Sequence, residues 1–277
     1  MNERHQRTKM LIGDEALERL QDSRVAVFGV GGVGGYAAEA LARSGVGSID
    51  LIDADDIAES NLNRQIVALT GTLGKGKAET AAERIADIDP SINITVHKMF
   101  YLPDSRGDVD FSCFDYVIDA VDTVAAKIDI IVQANLAGVP VISAMGCGNR
   151  LDPSKLQICD ISKTFNDPLS KAIRRRLKDT SVKKLDVVFS TELPYRKASA
   201  KRIGSSSGAE SSSTETTDGT ADSCPCAEST AASVYCNEKP TASAAGKKDP
   251  PASMVFVPAC AGLMMAGYVC RKLAGLL

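Results

Sequence analysis

The apolar positions of this chain fall in short runs separated by amphipathic stretches. "VAVFGV" (25–30) is β-rich and apolar, and "YAAEALARSG" (36–45) is helix-forming and closes on glycine. "SIDLIDAD" (48–55) reads as a second strand, and "KGKAETAAERIADIDP" (75–90) as a helix stopped by Pro90. "INITVHKMF" (92–100) is strand-like, and "FDYVIDAVD" (114–122) is a strand finishing in acid. "AAKIDIIVQANLAG" (125–138) reads as a helix and "VPVISAMG" (139–146) as a strand. Strands alternating with helices predict a parallel sheet covered on both faces, with right-handed crossovers. The expected fold class is α/β, a Rossmann-like, doubly wound, mostly parallel sheet.

The pattern changes after about residue 150. "DPLSKAIRRRLKD" (167–179) predicts a helix with Asp167 as N-cap and Pro168 in first position, with Leu169, Ile173 and Leu177 on one face. "LDVVFSTE" (185–192) is strand-like. "MVFVPACAGLMMAGYV" (254–269), interrupted by Pro258, reads as a buried strand and helix, an additional C-terminal strand/helix region. It falls short of the roughly 18 to 20 apolar residues of a membrane span. From about 198 to 252 the chain is Ser, Thr, Ala and Gly with scattered charge, too polar to order itself around a core. A mobile insertion within the domain is expected there.

Composition adds three limits. The start, "MNERHQRTKM", is polar and unlike a signal peptide, so a cytoplasmic protein is expected. The eight cysteines are then expected to be reduced thiols, not a disulfide framework. Charge is uneven: 12 basic and 4 acidic side chains lie between Lys163 and Arg202, on a chain whose net charge is −3. A concentrated basic segment (about 160–202) on an acidic protein points to phosphate-backbone contact, against the alternative of a solvated helix face.

Candidate chemistry begins at Gly29-Val30-Gly31-Gly32-Val33-Gly34, which fits G-x-G-x-x-G between a strand and a helix. Such glycines allow a tight turn and close backbone approach, and the helix N-terminus beyond attracts phosphate. Asp53 closes the next strand, as a carboxylate that accepts hydrogen bonds from ribose hydroxyls does. A nicotinamide dehydrogenase would share these features. It would have no need of Asn61-x-Asn63-Arg64-Gln65, whose guanidinium can clamp phosphate oxygens, or of Lys77 at the start of a helix. Asp119 and Asp122 end a strand at the carboxyl edge of the sheet, where ligands of open α/β sheets bind and where a carboxylate suits magnesium. His5 and His97 form no readable catalytic constellation.

The series Gly29 to Gly34, Asp53, Asn61 to Gln65, Lys77 and Asp122 resembles the ubiquitin-activating-enzyme-like superfamily, whose bacterial members adenylate carboxylates with ATP. The resemblance covers about residues 4 to 150. It implies that Gly29, Gly31, Gly32, Gly34 and Asn61 line the nucleotide, that Asp53 holds the ribose, and that Arg64 and Lys77 contact the phosphates. It implies that Asp122 serves Mg2+, and that Arg7 reaches across a homodimer into the partner's site. Residues 1–277 would form one adenylating domain, with its nucleotide-binding core at about 20–150.

Two branches differ in the carboxylate they activate. Those that adenylate a small sulfur-carrier protein often carry two C-x-x-C pairs, and no C-x-x-C occurs here. Cys224-Pro-Cys226 with Cys236 has poor metal-ligand spacing and no preorganised catalytic setting. "LIGDEAL", "LNRQ", "YVIDAVD", "DPLSKAIRRRLK" and "VVFSTE" instead resemble the group that dehydrates N6-threonylcarbamoyladenosine in tRNA. That likeness implies an ATP- and Mg2+-dependent cyclisation through an acyl-adenylate, with tRNA as partner; a sulfurtransferase or sulfur-carrier partner stays open. A nicotinamide oxidoreductase and a non-catalytic tRNA-binding module are the remaining readings.

Overall fold

The structure is a computed structural model that describes residues 3–195 and 251–277. Seven strands form its sheet: β1 (Arg24–Phe28), β2 (Ser48–Ile52), β3 (Asn93–His97), β4 (Tyr116–Asp119), β5 (Val141–Ala144), β6 (Leu156–Asp160) and β7 (Asp186–Ser190). Their order is β3-β2-β1-β4-β5-β7-β6. Every pairing is parallel except β6 with β7. The chain winds outward from β1 to β3, returns, and winds the other way from β4. The reversal leaves a crevice at the carboxyl ends of β1 and β4, where such sheets bind ligands.

Helices cover both faces: α1 (Gln6–Ile12), α2 (Asp14–Asp22), α3 (Gly34–Ser44), α4 (Lys77–Ile88), α5 (Val124–Leu136), α6 (Pro168–Leu177) and α7 (Phe256–Leu273). Alternation along β1 explains the layering. Val25 and Val27 join the core beneath α3, α4 and α7, while Ala26 and Phe28 join the one beneath α5. Ile173 and Leu177 of α6 pack with Ile131 of α5 and Val187 and Phe189 of β7.

Two sequence expectations change here. The strand expected near residue 254 does not form: Met254 and Val255 lead directly into α7, and Pro258 lies in its first turn. A proline is tolerated there because first-turn N–H groups have no intrahelical acceptor. Glycine at 262 then lets α7 press onto α3, since a Cβ would sit 2.2 Å from the Val33 carbonyl oxygen. The second change is β6, an edge strand that the apolar pattern did not announce.

Asn149 joins Tyr195 to Ala252. It holds a left-handed backbone (φ 57°). Its carbonyl accepts the Tyr195 N–H (2.7 Å), its N–H donates to the Ala252 carbonyl (2.7 Å), and its side-chain oxygen accepts the Ala252 N–H (3.0 Å). Both flanks of residues 196–250 are thus fastened to one residue at the carboxyl edge. Cys224, Cys226, Cys236 and almost all of the expected insertion lie outside the described residues, as do Arg196, Lys197, Lys201 and Arg202 of the basic segment. Replacing 196–250 by a short Gly/Ser bridge should leave one cooperative thermal transition, shifted by less than about 4 °C, because loop length costs little. Calorimetry showing a lost or non-cooperative transition would contradict this closure.

Candidate functional site

The site is built from the carboxyl ends of β1, β2 and β4. Gly29 leaves β1 with φ 84°, and a Cβ there would lie 2.8 Å from the Ala120 carbonyl oxygen at the end of β4. Gly34 opens α3 so close to the turn that a Cβ would lie 1.8 Å from the Gly29 oxygen. Packing alone therefore excludes side chains at these two positions. Gly31 and Gly32 differ. Their φ angles are ordinary, and an added Cβ would meet nothing nearer than 3.8 Å and 3.5 Å respectively. Their N–H groups have no hydrogen-bond partner among the described residues. Nothing in the protein requires glycine there, and its presence leaves the N-terminus of α3 open to an approaching anion.

A chain of hydrogen bonds ties this loop to the next two motif residues. Asp53 accepts the Val30 N–H (2.7 Å) with one oxygen and the Asp55 N–H (2.8 Å) with the other. Asp55 in turn accepts from the Lys77 ammonium (2.6 Å). Lys77 is buried at the first position of α4, its stem inside and its charge at the site. Burial pushes the Asp53 carboxyl above its ordinary range, against the pull of the Val30 and Asp55 N–H groups and the Lys77 charge. A carboxylate offers about four lone-pair positions, so Asp53 keeps capacity for ribose hydroxyls.

The 61–65 segment lies over the loop. The Asn61 side-chain oxygen accepts the Ala58 N–H (3.0 Å) and holds its own turn. Arg64 donates from Nη1 to the Ser60 carbonyl (2.8 Å) and to Asn63 Oδ1 (2.9 Å), with its Cγ 3.5 Å from the position of a Gly32 Cβ. Its Nε and Nη2 protons have no partner among the described residues. Gln65 is buried beside Gly31, and its Oε1 has no hydrogen-bond partner. This orphaned buried acceptor at the loop makes Gln65 a candidate site residue.

Asp122 stands in the turn between β4 and α5, exposed and without an ion pair or hydrogen bond among the described residues. Beneath it, Asp119, Lys127 and Ser143 are fully buried. Lys127 Nζ donates to Asp119 (2.8 Å) and to Ser143 Oγ (3.2 Å), Ser143 donates to Asp119 (2.5 Å), and the Val121 N–H donates to Asp119 (3.3 Å). The clamp holds the turn that carries Asp122. Sequence reasoning missed Lys127, although it lies in step with Ile130, Ile131 and Ala134 on the buried stripe of α5.

Other candidates fall elsewhere. His5 and His97 are structural, bonded to Asp89 (3.0 Å) and Asp50 (2.9 Å). Arg7 is exposed on α1, two residues beyond His5. His5 packs near Gly45 and Asp89, which end α3 and α4 at the opposite edge of the sheet. Within one chain Arg7 does not join the site. Cys147 lies beyond the end of β5 near the site, but burial, then the Asp167 carboxylate, push its thiol up to about 12, so it supplies no thiolate at neutral pH. The described residues hold no cluster of three His, Cys, Asp or Glu able to bind a metal.

Residues 4–276 match the model of the ThiF family. The chain belongs to that family. It is 39% identical over 270 residues to the tRNA threonylcarbamoyladenosine dehydratase of Bacillus subtilis, covering 96% of this chain and 93% of the relative. This ThiF-family chain is also similar to the crystal structure of E. coli tRNA N6-threonylcarbamoyladenosine dehydratase, TcdA, in complex with ATP. The TM-score is 0.74, with 31% identity over 98% of this chain and 94% of the other. Likeness to the probable adenylyltransferase/sulfurtransferase MoeZ of Mycobacterium tuberculosis is narrower, 34% identity over 131 residues, 47% of this chain and 33% of that one.

Gly31→Ala and Gly34→Ala should behave oppositely. Gly31→Ala is expected to keep the thermal midpoint and to weaken ATP binding at least about tenfold, by obstructing the anion's approach. Gly34→Ala is expected to unfold the site, because its Cβ has no space. Equal effects on stability would contradict this division, and thermal shift with ATP titration measures both.

Proposed function

We infer that this chain is an ATP-dependent tRNA threonylcarbamoyladenosine dehydratase that works through an acyl-adenylate. The observation that carries the reading is near full-length similarity to enzymes of that name, joined to a glycine cradle whose two central glycines are left open by the protein. The MoeZ-like alternative draws on less than half of the chain. We take residues 1–277 as one adenylating domain.

In this reading the substrate's threonine carboxylate attacks the α-phosphorus of ATP. A carboxylate O–P bond forms, the bond to the β-phosphate bridging oxygen breaks, and pyrophosphate leaves. The carbamoyl group then closes onto the activated carbonyl, the carbonyl–AMP bond breaks, and AMP departs. Asp53 orients the ribose. The Gly31 and Gly32 N–H groups and the N-terminus of α3 hold phosphate oxygens. Arg64 and Lys77 offset the charge that builds on the transferring phosphorus and departing pyrophosphate. The substrate supplies its own nucleophiles, so no protein thiolate is needed.

Magnesium would sit at Asp122. One exposed, unpartnered carboxylate suits an ion whose other ligands are phosphate oxygens and water, and its chemistry there would be charge neutralisation. We propose a homodimer in which Arg7 enters the partner's site. Its position at the opposite edge of its own sheet supports this, as do Met10 and Leu11, 80% and 85% exposed on the same short helix. A tRNA substrate supports a cytoplasmic location, and no described helix is long and apolar enough to cross a membrane.

Nucleoside mass spectrometry of tRNA incubated with the chain and ATP should show N6-threonylcarbamoyladenosine losing one water. Arg64→Ala and Lys77→Ala should each slow that loss by on the order of a hundredfold while the fold persists. Full-rate turnover by both variants, or no mass change with the native chain, would refute the reading.

A further inference from the structure

The basic segment is not a uniform solvated face. In α6 the side chains of Ser170, Ile173 and Leu177 turn inward. Arg174 is also drawn in. Its guanidinium donates to the Ile161 carbonyl (3.1 Å), the Thr164 carbonyl (2.8 Å) and the Thr164 hydroxyl, closing the loop before the helix. Of the basic segment expected to meet phosphate, Arg174 therefore belongs to the fold.

Three of the side chains that remain outside, beside the exposed Arg176, form an ordered row. Lys171, Arg175 and Lys178, with Pro168, Ala172 and Arg174, line a surface recess of about 390 Å³. The three cations succeed one another at helical spacings of four and three residues, so they line one side of α6 over about 10 Å. None of them has an ion pair among the described residues. Arg175 and Lys178 lie in the last turns of the helix, where cations are favoured by the helix dipole.

Two contacts place the start of α6 at the carboxyl edge that carries the site, from which the row runs toward Ile161 at the opposite edge. Asp167, the N-cap of α6, accepts the Ser170 N–H (2.8 Å) with one oxygen and the Gly146 N–H (3.0 Å) with the other. Gly146 lies just beyond β5 at the same sheet edge that carries Asp122. Just before the cap stands Phe165. Phe165 is 53% exposed, and its ring packs edge-on against Phe189 of β7 at 5.6 Å between centroids. An aromatic ring held from below and open above is a stacking platform, and α6 runs on from it with its cations outward.

We propose that Phe165 and the Lys171–Arg175–Lys178 row form the RNA-docking face of this chain: the ring stacks an unpaired base of the anticodon loop, and the row holds the adjoining phosphates. Single-stranded RNA is recognised by this pairing of aromatic faces with a cationic track. An acidic protein partner would use the row and leave the exposed ring without a role. The proposal rests on the tRNA-dehydratase reading.

The test measures binding of tRNA bearing N6-threonylcarbamoyladenosine to the full chain by fluorescence anisotropy at several KCl concentrations, with ATP affinity measured in parallel. Lys171→Gln/Arg175→Gln/Lys178→Gln should raise the tRNA Kd at least about tenfold at low salt and reduce the salt slope by roughly 2. Phe165→Ala should raise Kd by about tenfold and leave the salt slope unchanged, as loss of one stacked base does. Both variants should keep native ATP affinity, which also reports an intact fold. Arg271→Gln/Lys272→Gln, at the far end of α7, should bind tRNA as the native chain does. A triple variant with native Kd and salt slope, or a control that loses as much, would overturn the docking face alone. A native chain that binds no tRNA would overturn the functional reading with it.

Discussion

The carboxyl ends of β1 and β4 meet with no space for a methyl group. A Cβ on Gly29 would strike the Ala120 carbonyl, and one on Gly34 would strike Gly29 itself. This contact fixes the glycine loop against the turn that bears Asp122, so phosphate cradle and carboxylate keep one separation. The Asp119–Lys127–Ser143 clamp enforces it from below. Removing one partner of such a buried ion pair costs about 3–5 kcal/mol, since the other charge is left in apolar surroundings. The clamp is thus as much a condition for the site as any residue facing a ligand.

Around that fixed point the site divides into bound and available groups. Val30, Asp53, Asp55 and Lys77 form one continuous hydrogen-bonded chain from β1 to α4. Gly31, Gly32, most of the Arg64 guanidinium, the Gln65 oxygen and Asp122 keep donors or acceptors without partners among the described residues. The frame is satisfied internally, and the unsatisfied groups lie at the carboxyl ends of β1, β2 and β4, the distribution that a preorganised phosphate site would need.

Much of this was legible in the sequence because local rules coincide with it. The strand and helix runs track burial periodicity, and the glycine motif is a backbone requirement written directly in residue types. Asp53, Lys77 and Asp122 lie at element ends, where the pattern places them. Contacts between distant segments were not legible. Nothing in "RRR" says that Arg174 turns back to cap Thr164 while Arg175 faces outward. Nothing near Asn149 foretells that it holds Tyr195 and Ala252 together. Pro258 reads as a breaker until the helix is seen to begin just before it. Lys127 hides in an apolar helix, and only its phase on the buried stripe signals an ion pair.

The central claim is that the threonine carboxylate is activated by forming a bond to the α-phosphorus of ATP. It is tested most directly by labelling that carboxylate with oxygen-18 in N6-threonylcarbamoyladenosine tRNA and analysing the released nucleotide by mass spectrometry. The account predicts one labelled oxygen in AMP, released with pyrophosphate in step with the loss of water from the nucleoside. Unlabelled AMP, or dehydration accompanied by ADP and phosphate, would contradict it.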